Sequence, residues 1–219
     1  MSNIAKNQMR RSQAERSATT SASLIAATIS ALYEKGYAAT STTLVAQLAG
    51  VSRGAMLHHY PTKVHLMAAT IYAIYESEIA AYAITIREAG NQEDRLDRLI
   101  DTAWSCFKSP GGIAQTEVWM ATRSNPDLAA AVIPVHNAIV HQSIAGLKSV
   151  LGDDLLNNKF KAEHILTYLV SALRGLALQH VLGSPEDELT TGVDLIKATI
   201  RSITPPLRHR DNIMAEHSM

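Results

Sequence analysis

The sequence predicts an all-α fold, and three observations carry the prediction. No stretch alternates apolar and polar residues with period two over a useful length. Apolar residues recur instead at three- and four-residue steps through most of the chain. Between these runs stand the residues that start and stop helices: Gly36, Gly50, Pro61, Gly90, Ser109-Pro110-Gly111-Gly112, Asn125-Pro126, Gly152 and Ser184-Pro185. About three short helices are expected, then about six longer ones, with no internal repeat and no low-complexity segment.

Residues 1–19 are polar, with scattered Arg and Lys and no sustained period. They read as a flexible basic arm, either a disordered tail or a segment that touches phosphate or a minor groove. A helix follows from about Thr20 to Lys35, with Leu24, Ala27, Thr28, Ala31 and Leu32 on one face and Gly36 placed to end it. Ser41 can cap a short helix from Thr42 to Leu48, whose apolar positions are Leu44, Val45 and Leu48. Ala49-Gly50-Val51 makes a turn. Ser52 can cap a second short helix, Arg53 to Tyr60, which Pro61 stops and after which Thr62 can cap the next.

The later helices are longer. Leu66, Met67, Ile71, Ile74, Tyr75, Ile79, Tyr82 and Ile86 predict one ending near Gly90. Leu96, Leu99, Ile100, Ala103, Trp104 and Phe107 mark the buried side of a helix over about 93–108. The Ser-Pro-Gly-Gly stretch reads as a break before a helix from about Ile113 to Arg123. Asn125 caps the next, Pro126 to Leu151, which Pro134 should kink. Two more are expected, from about Asn158 to Leu182 and from Ser184 to just before Pro205, with a polar tail over 205–219.

Helix, tight glycine turn, helix is the helix-turn-helix pattern, in which the second helix enters a DNA major groove. The wording A-G-V-S-R-G-A-M-L-H-H-Y-P-T-K, preceded by Y-E-K-G-Y-A-A-T-S, closely resembles the DNA-binding domain of the tetracycline-repressor (TetR) family. The resemblance spans roughly residues 20–67, and Gly36, Ala49, Gly50, Val51, Ser52, Gly54, His59, Pro61 and Lys63 match in order. It implies a three-helix DNA-binding domain over 20–64 and a helical effector-binding and dimerisation domain over 65–204.

Composition agrees with such a layout. The 219 residues are 47% hydrophobic and 18% charged, an ordinary globular balance, and the formal net charge is zero. Charge is unevenly spread. Residues 1–65 hold seven Lys and Arg against two Glu, a net +5; the remainder holds thirteen against eighteen, a net −5. A basic N-terminal part fits DNA binding at one end only. The single cysteine, Cys106, forbids an internal disulfide. No apolar run is expected to span a membrane and no signal peptide is evident, so a cytoplasmic protein is expected.

The recognition-helix residues have direct chemical uses. Arg53 can grip guanine in a bidentate fork, and Gly54 and Ala55 permit close approach, with Ala55 near a thymine methyl. Ser52, His58 and His59 can meet phosphate or base edges, and Thr42, Thr43 and Lys63 suit phosphate. The resemblance implies that Thr42, Thr43, Arg53, Gly54, Ala55, Leu57, His58, His59 and Lys63 lie at or near DNA. One departure stands out: most members carry tyrosine where this chain has Leu57, and leucine cannot make that tyrosine's phosphate hydrogen bond. Tyr60, where phenylalanine is usual, reads as core.

In the second domain a ligand cavity needs apolar walls and a few polar groups. Trp104, Phe107, Trp119 and Met120 supply the first; Tyr75, Tyr82, Glu117, Arg123, His136 and Tyr168 supply the second, and each can equally serve packing or a surface ion pair. The resemblance assigns dimerisation to the last two helices, through Ile165, Leu169, Ala172, Leu173, Leu176, Ala177, His180, Leu189, Val193, Ile196, Ile200 and Ile203; otherwise these finish the monomer core. No His-x-x-x-His or Cys-x-x-Cys spacing exists, so neither metal nor cofactor is expected. The partners implied are a double-stranded DNA operator, a second copy of the chain and a small-molecule effector. The competing readings are an architectural DNA-binding protein without effector, and a helical enzyme, for which no nucleophile–base pair or phosphate loop is found.

Overall fold

A computed structural model of the chain describes residues 3–89, 92–151 and 160–203. Nine α-helices lie within them: α1 Asn3–Ala39, α2 Thr42–Leu48, α3 Arg53–His59, α4 Lys63–Glu88, α5 Gln92–Phe107, α6 Pro110–Thr122, α7 Pro126–Leu151, α8 Ala162–Val181 and α9 Glu186–Ile203. There is no strand among the described residues. The expected breaks at Gly90 and Gly152, the start at Asn158 and the tail 205–219 lie outside them.

Two expected boundaries move. α1 begins at Asn3, ahead of Thr20. Its first turns are written in Ala, Gln, Arg, Met and Glu, good helix formers with no glycine or proline among them. Ser109-Pro110-Gly111-Gly112 is a helix start instead of a break. The Ser109 side chain accepts from Gly112 N at 3.1 Å, and Pro110 sits at the first helical position, where its missing donor costs nothing.

The chain packs as two compact units. The first comprises residues up to Ile79 with Cys106–Ala138; the second comprises Ala80–Ser105 with Ile139 onward. This division differs from a boundary at residue 64, because α6 packs along α1. The core of the first unit takes Leu24, Ala27, Thr28, Ala31 and Leu32 from α1, the face expected from their spacing. Val45, Met56, Leu66, Met67, Ile71, Ala114, Val118, Leu128 and Val132 are buried with them. Leu48, expected on the buried side of α2, is 51% exposed, and Ala46 is buried in its place. Ile79 and Ile86 of α4 are likewise exposed.

In the second unit α9 buries Leu189, Val193, Ile196 and Ile200. The Lys197 ammonium meets the Asp101 carboxylate of α5 at 2.6 Å, and Arg201 holds Asp97 through both guanidinium and carboxylate. Gly192 fits against Leu176 of α8, where a β-carbon would fall 2.7 Å from Leu176 Cδ2. Leu173 and Ala177 of α8 are buried too. The apolar stripe of α9 therefore completes the protomer core and is not a surface awaiting a second chain. The apolar residues left uncovered are Tyr168, Leu178, Val181 and Leu182 of α8 and Leu195 of α9.

α7 runs over the expected Pro126–Leu151. It continues helical through Pro134, with Pro134 and Ala130 both on the exposed side, so the hydrogen bond that proline cannot donate is lost facing water. It also contains a 24-residue stretch, Pro126–Ser149, long and apolar enough to cross a membrane by length and composition, where none was expected. Asp127, His136, His141 and Lys148 punctuate that stretch, which is costly in hydrocarbon.

Cys106 is half-buried, and burial, followed by the charge of Glu78, pushes its thiol up to about 11 from 9.0. The neutral thiol is the folded form, so this group's contribution to stability is whole below pH 9 and is lost as pH rises through 11. At pH 8 the native thiolate is about a hundredfold scarcer than in the unfolded chain. Iodoacetamide should therefore label native Cys106 about a hundredfold more slowly than the urea-unfolded protein, read by mass spectrometry.

Candidate nucleic-acid interface

Local rules build the motif. The Ser41 hydroxyl oxygen accepts from Leu44 N at 3.2 Å, the Ser52 oxygen from Ala55 N at 3.1 Å, and the Thr62 oxygen from His65 N at 3.3 Å, so α2, α3 and α4 each start on a side-chain cap. At the end of α2, Gly50 N donates to Gln47 O (3.2 Å) and Val51 N to Ala46 O (3.0 Å). This pair of reversed bonds closes the helix with a left-handed residue, and Gly50 takes it at φ +67°.

Met56 is the anchor of α3, fully buried in the first unit. With that side turned inward, Ser52, Arg53, Gly54, Leu57 and His58 are exposed, and Ala55 and His59 are half-buried. Tyr60 ends α3, and its hydroxyl pairs with Ser21 Oγ of α1 at 2.6 Å, which fixes the helix against its support. Thr43 is exposed and Thr42 half-buried on α2. From Lys35 to Tyr75 the chain contains no carboxylate. The exposed side of α3 is thus a small-residue, carboxylate-free surface led by one free-standing guanidinium.

Lys63 has a different setting. Its ammonium donates to Tyr37 O at 2.6 Å and stands 3.8 Å over the Tyr37 ring, and burial lowers its pKa. Tyr37 follows Gly36, whose φ of +73° turns the chain out of regular helix. The Tyr37 N–H donates to Glu117 Oε2 of α6 at 2.9 Å, and its hydroxyl accepts from Asn125 Nδ2 at 3.3 Å. One residue thereby gathers α1, α4, α6 and the start of α7. Spacing did not single out Tyr37, since its partners lie far along the chain. We expect Lys63→Met to lower unfolding stability by about 1–2 kcal/mol through the lost charge-assisted bond. The salt slope of DNA binding should stay unchanged, whereas a phosphate contact would contribute about 0.9 per lysine. Thermal melts and salt-titrated anisotropy separate the two.

The residues nominated for a ligand have different settings. Met120 and Tyr168 are 65% and 41% exposed, and Arg123 is exposed at the C-cap of α6. Trp104 lies in the second unit, edge-to-face with His180 at 6.5 Å. Phe107 is half-buried and Tyr75 buried in the first. Trp119 and His136 do meet, edge-to-face at 5.1 Å between α6 and α7. One turn before Trp119 stands Gln115, 3% exposed, whose Nε2 has no hydrogen-bond partner among the described residues. Its polar amide within an apolar helix face, four residues before a tryptophan, was the signal available in the sequence.

Two capped short helices about a left-handed glycine, packed on α1 and presenting a carboxylate-free face, define a helix-turn-helix DNA-binding protein. Comparison with known proteins narrows this. The profile of bacterial regulatory proteins of the tetR family matches residues 24–70. The HTH-type transcriptional regulator CymR of Pseudomonas putida is 31% identical over 176 residues, covering 78% of this chain and 83% of that protein. A TetR transcription regulator from Haloarcula marismortui has a similar fold, with a TM-score of 0.69 at 20% identity over 85% of this chain and 98% of that one. The multidrug binding protein EbrR, solved with imidazole, gives a TM-score of 0.59 at 22% identity over 87% and 98%. The chain belongs to the TetR family and is a DNA-binding transcriptional regulator.

Proposed function

We propose that the protein is a cytoplasmic repressor that binds a pseudo-palindromic operator as a homodimer and leaves it when a small molecule binds. The observation that carries this is the presentation of α3: Met56 holds it from behind while Arg53, Gly54 and His58 are free in front. Residues 20–64 are the DNA-binding part and 65–204 the effector-binding and dimerising part. Two copies joined through the uncovered apolar surface of α8 and α9, Tyr168, Leu178, Val181, Leu182 and Leu195, would set two recognition helices about one DNA turn apart, roughly 34–36 Å.

We infer an effector site at the buried side of α6, supported by Gln115, whose Nε2 has no partner among the described residues, and by the Trp119–His136 pair. α6 also holds Tyr37 through Glu117, so a ligand that shifts α6 pulls on the junction between α1 and α2. Release from DNA then requires only that the ligand favour the shifted form. Selection of bound duplexes from a random pool tests the reading. Two inverted half-sites with centres about 10 base pairs apart, or a multiple of one helical turn, and two protomers per duplex are expected. Recovery of no enriched sequence would overturn it in favour of architectural binding.

A further inference from the structure

The surface that α3 presents to DNA has few permanent charges and several conditional ones. Between Lys35 and Tyr75 the permanent cations are Lys35, Arg53 and Lys63, and Lys63 is lodged on Tyr37. The same span holds three histidines. His58 and His59 form the last turn of α3, and His65 stands in the first turn of α4. His58 and His65 are exposed and His59 is half-buried. Histidine is the side chain whose charge ordinarily changes between pH 5 and 8.

Among the described residues no ion pair involves these rings. His58 and His59 meet edge-on with centroids 5.9 Å apart, and His59 lies 6.2 Å from the Tyr60 ring. His65 Nδ1 is 2.8 Å from Thr62 Oγ1. α2, which packs on α3, carries no titratable residue. On α1 the residue that reaches the end of α3 is Ser21, and nothing from Ser17 to Ile25 titrates. On the first turn of α4 the titratable neighbours are Lys63 and His65 themselves. Among the described residues no carboxylate pairs with these imidazoles, so the anion available to them is a DNA phosphate.

We propose that protons are a co-ligand of the DNA complex, with His58 and His59 engaging phosphate as imidazolium, so that DNA affinity climbs as pH falls through neutrality. This rests on the DNA-reading face argued above and concerns how that face is regulated. A phosphate beside an imidazole favours its charged form, so DNA binding takes up protons and protons tighten DNA binding in return. His58 and His59 adjoin, so positive charge on one ring disfavours it on the other. About one proton per recognition helix is therefore taken up, or two per dimer. Each added imidazolium at phosphate steepens the salt slope by about 0.9. Arg53 supplies a part of the affinity that does not change with pH.

The test uses the full chain and a labelled 30-base-pair duplex of mixed sequence, by anisotropy between pH 5.8 and 7.8 at fixed ionic strength. The dissociation constant is expected to fall on the order of 30-fold on acidification, with the salt slope steepening by about two per dimer. His58→Gln with His59→Gln should flatten the pH response, whereas Arg53→Ala should weaken binding at every pH and keep it. Calorimetry of the wild type in two buffers of different ionisation enthalpy should count the protons directly, without a variant. Wild-type binding that varies less than threefold with pH, or no proton uptake, overturns the proposal while leaving the DNA-reading face intact. No binding at any pH overturns both.

Discussion

Replacing Gly112 with alanine is expected to destabilise the protein by about 3 kcal/mol, the upper end of the cost of overpacking a core. A β-carbon at this position would fall 2.5 Å from Phe107 O and closer still to Cys106 O. Both are backbone atoms, so no side-chain rotation makes room. The turn is also held from both sides, since the Ser109 hydroxyl donates to Cys106 O at 2.7 Å and accepts from Gly112 N. Gly111, its neighbour, is the control. A β-carbon there would meet Ser109 Oγ at 3.5 Å and Ile74 Cγ2 at 3.6 Å, ordinary contact distances. Alanine at 111 also gains up to about 1 kcal/mol of helix preference over glycine. Thermal unfolding should drop by about 6–12 °C for Gly112→Ala and hold or rise for Gly111→Ala. A matching response in the two variants would mean that the close approach of α5 and α6 does not govern stability.

The contrast between these adjacent glycines shows what the sequence can and cannot express. Caps are local, so Ser41, Ser52, Thr62 and Asn125 could be read from residue type and position, and each accepts the bond it was assigned. The buried side of α1 was equally legible, because Leu24, Ala27, Thr28, Ala31 and Leu32 repeat with the helix's own period. What covers a face is not written in that face. The stripe of α9 was visible as a stripe, but only packing shows that it is consumed inside the protomer. Lys63 carries the same limit. Its motif position points to phosphate, yet a tyrosine 26 residues away claims the ammonium. Tyr37 in turn meets Glu117 and Asn125 across 80 and 88 residues, separations with no local signature. The recognition face was legible because its pattern is short; its connection to α6 was not, because that connection is made by the fold.

Arg53→Ala is expected to cost the operator complex about 1–3 kcal/mol per half-site, the value of one bidentate base contact. A homodimer counts that loss twice, so operator affinity should fall by roughly 30-fold to 10⁴-fold if the half-sites act independently. The geometry makes the substitution clean. Arg53 is the first residue of α3, but the helix is started by Ser52 through Ala55 N and anchored by Met56, neither of which needs the guanidinium. Gly54 and Ala55 beside it are small, so the backbone can come close enough for the fork to reach a base edge. Leu57, exposed one turn on, has no donor with which to compensate. Arg53→Lys separates charge from geometry, since lysine keeps the cation and loses the planar fork. On a mixed-sequence duplex Arg53→Lys should retain both affinity and salt slope, while its preference for the selected operator collapses. Arg53→Ala should lose in both comparisons, more on the operator. If Arg53→Lys matched the wild type on both duplexes, Arg53 would be a phosphate contact, and sequence reading would pass to Ala55, His58 and His59. If Arg53→Ala bound both duplexes like the wild type, α3 would not be the DNA-reading helix.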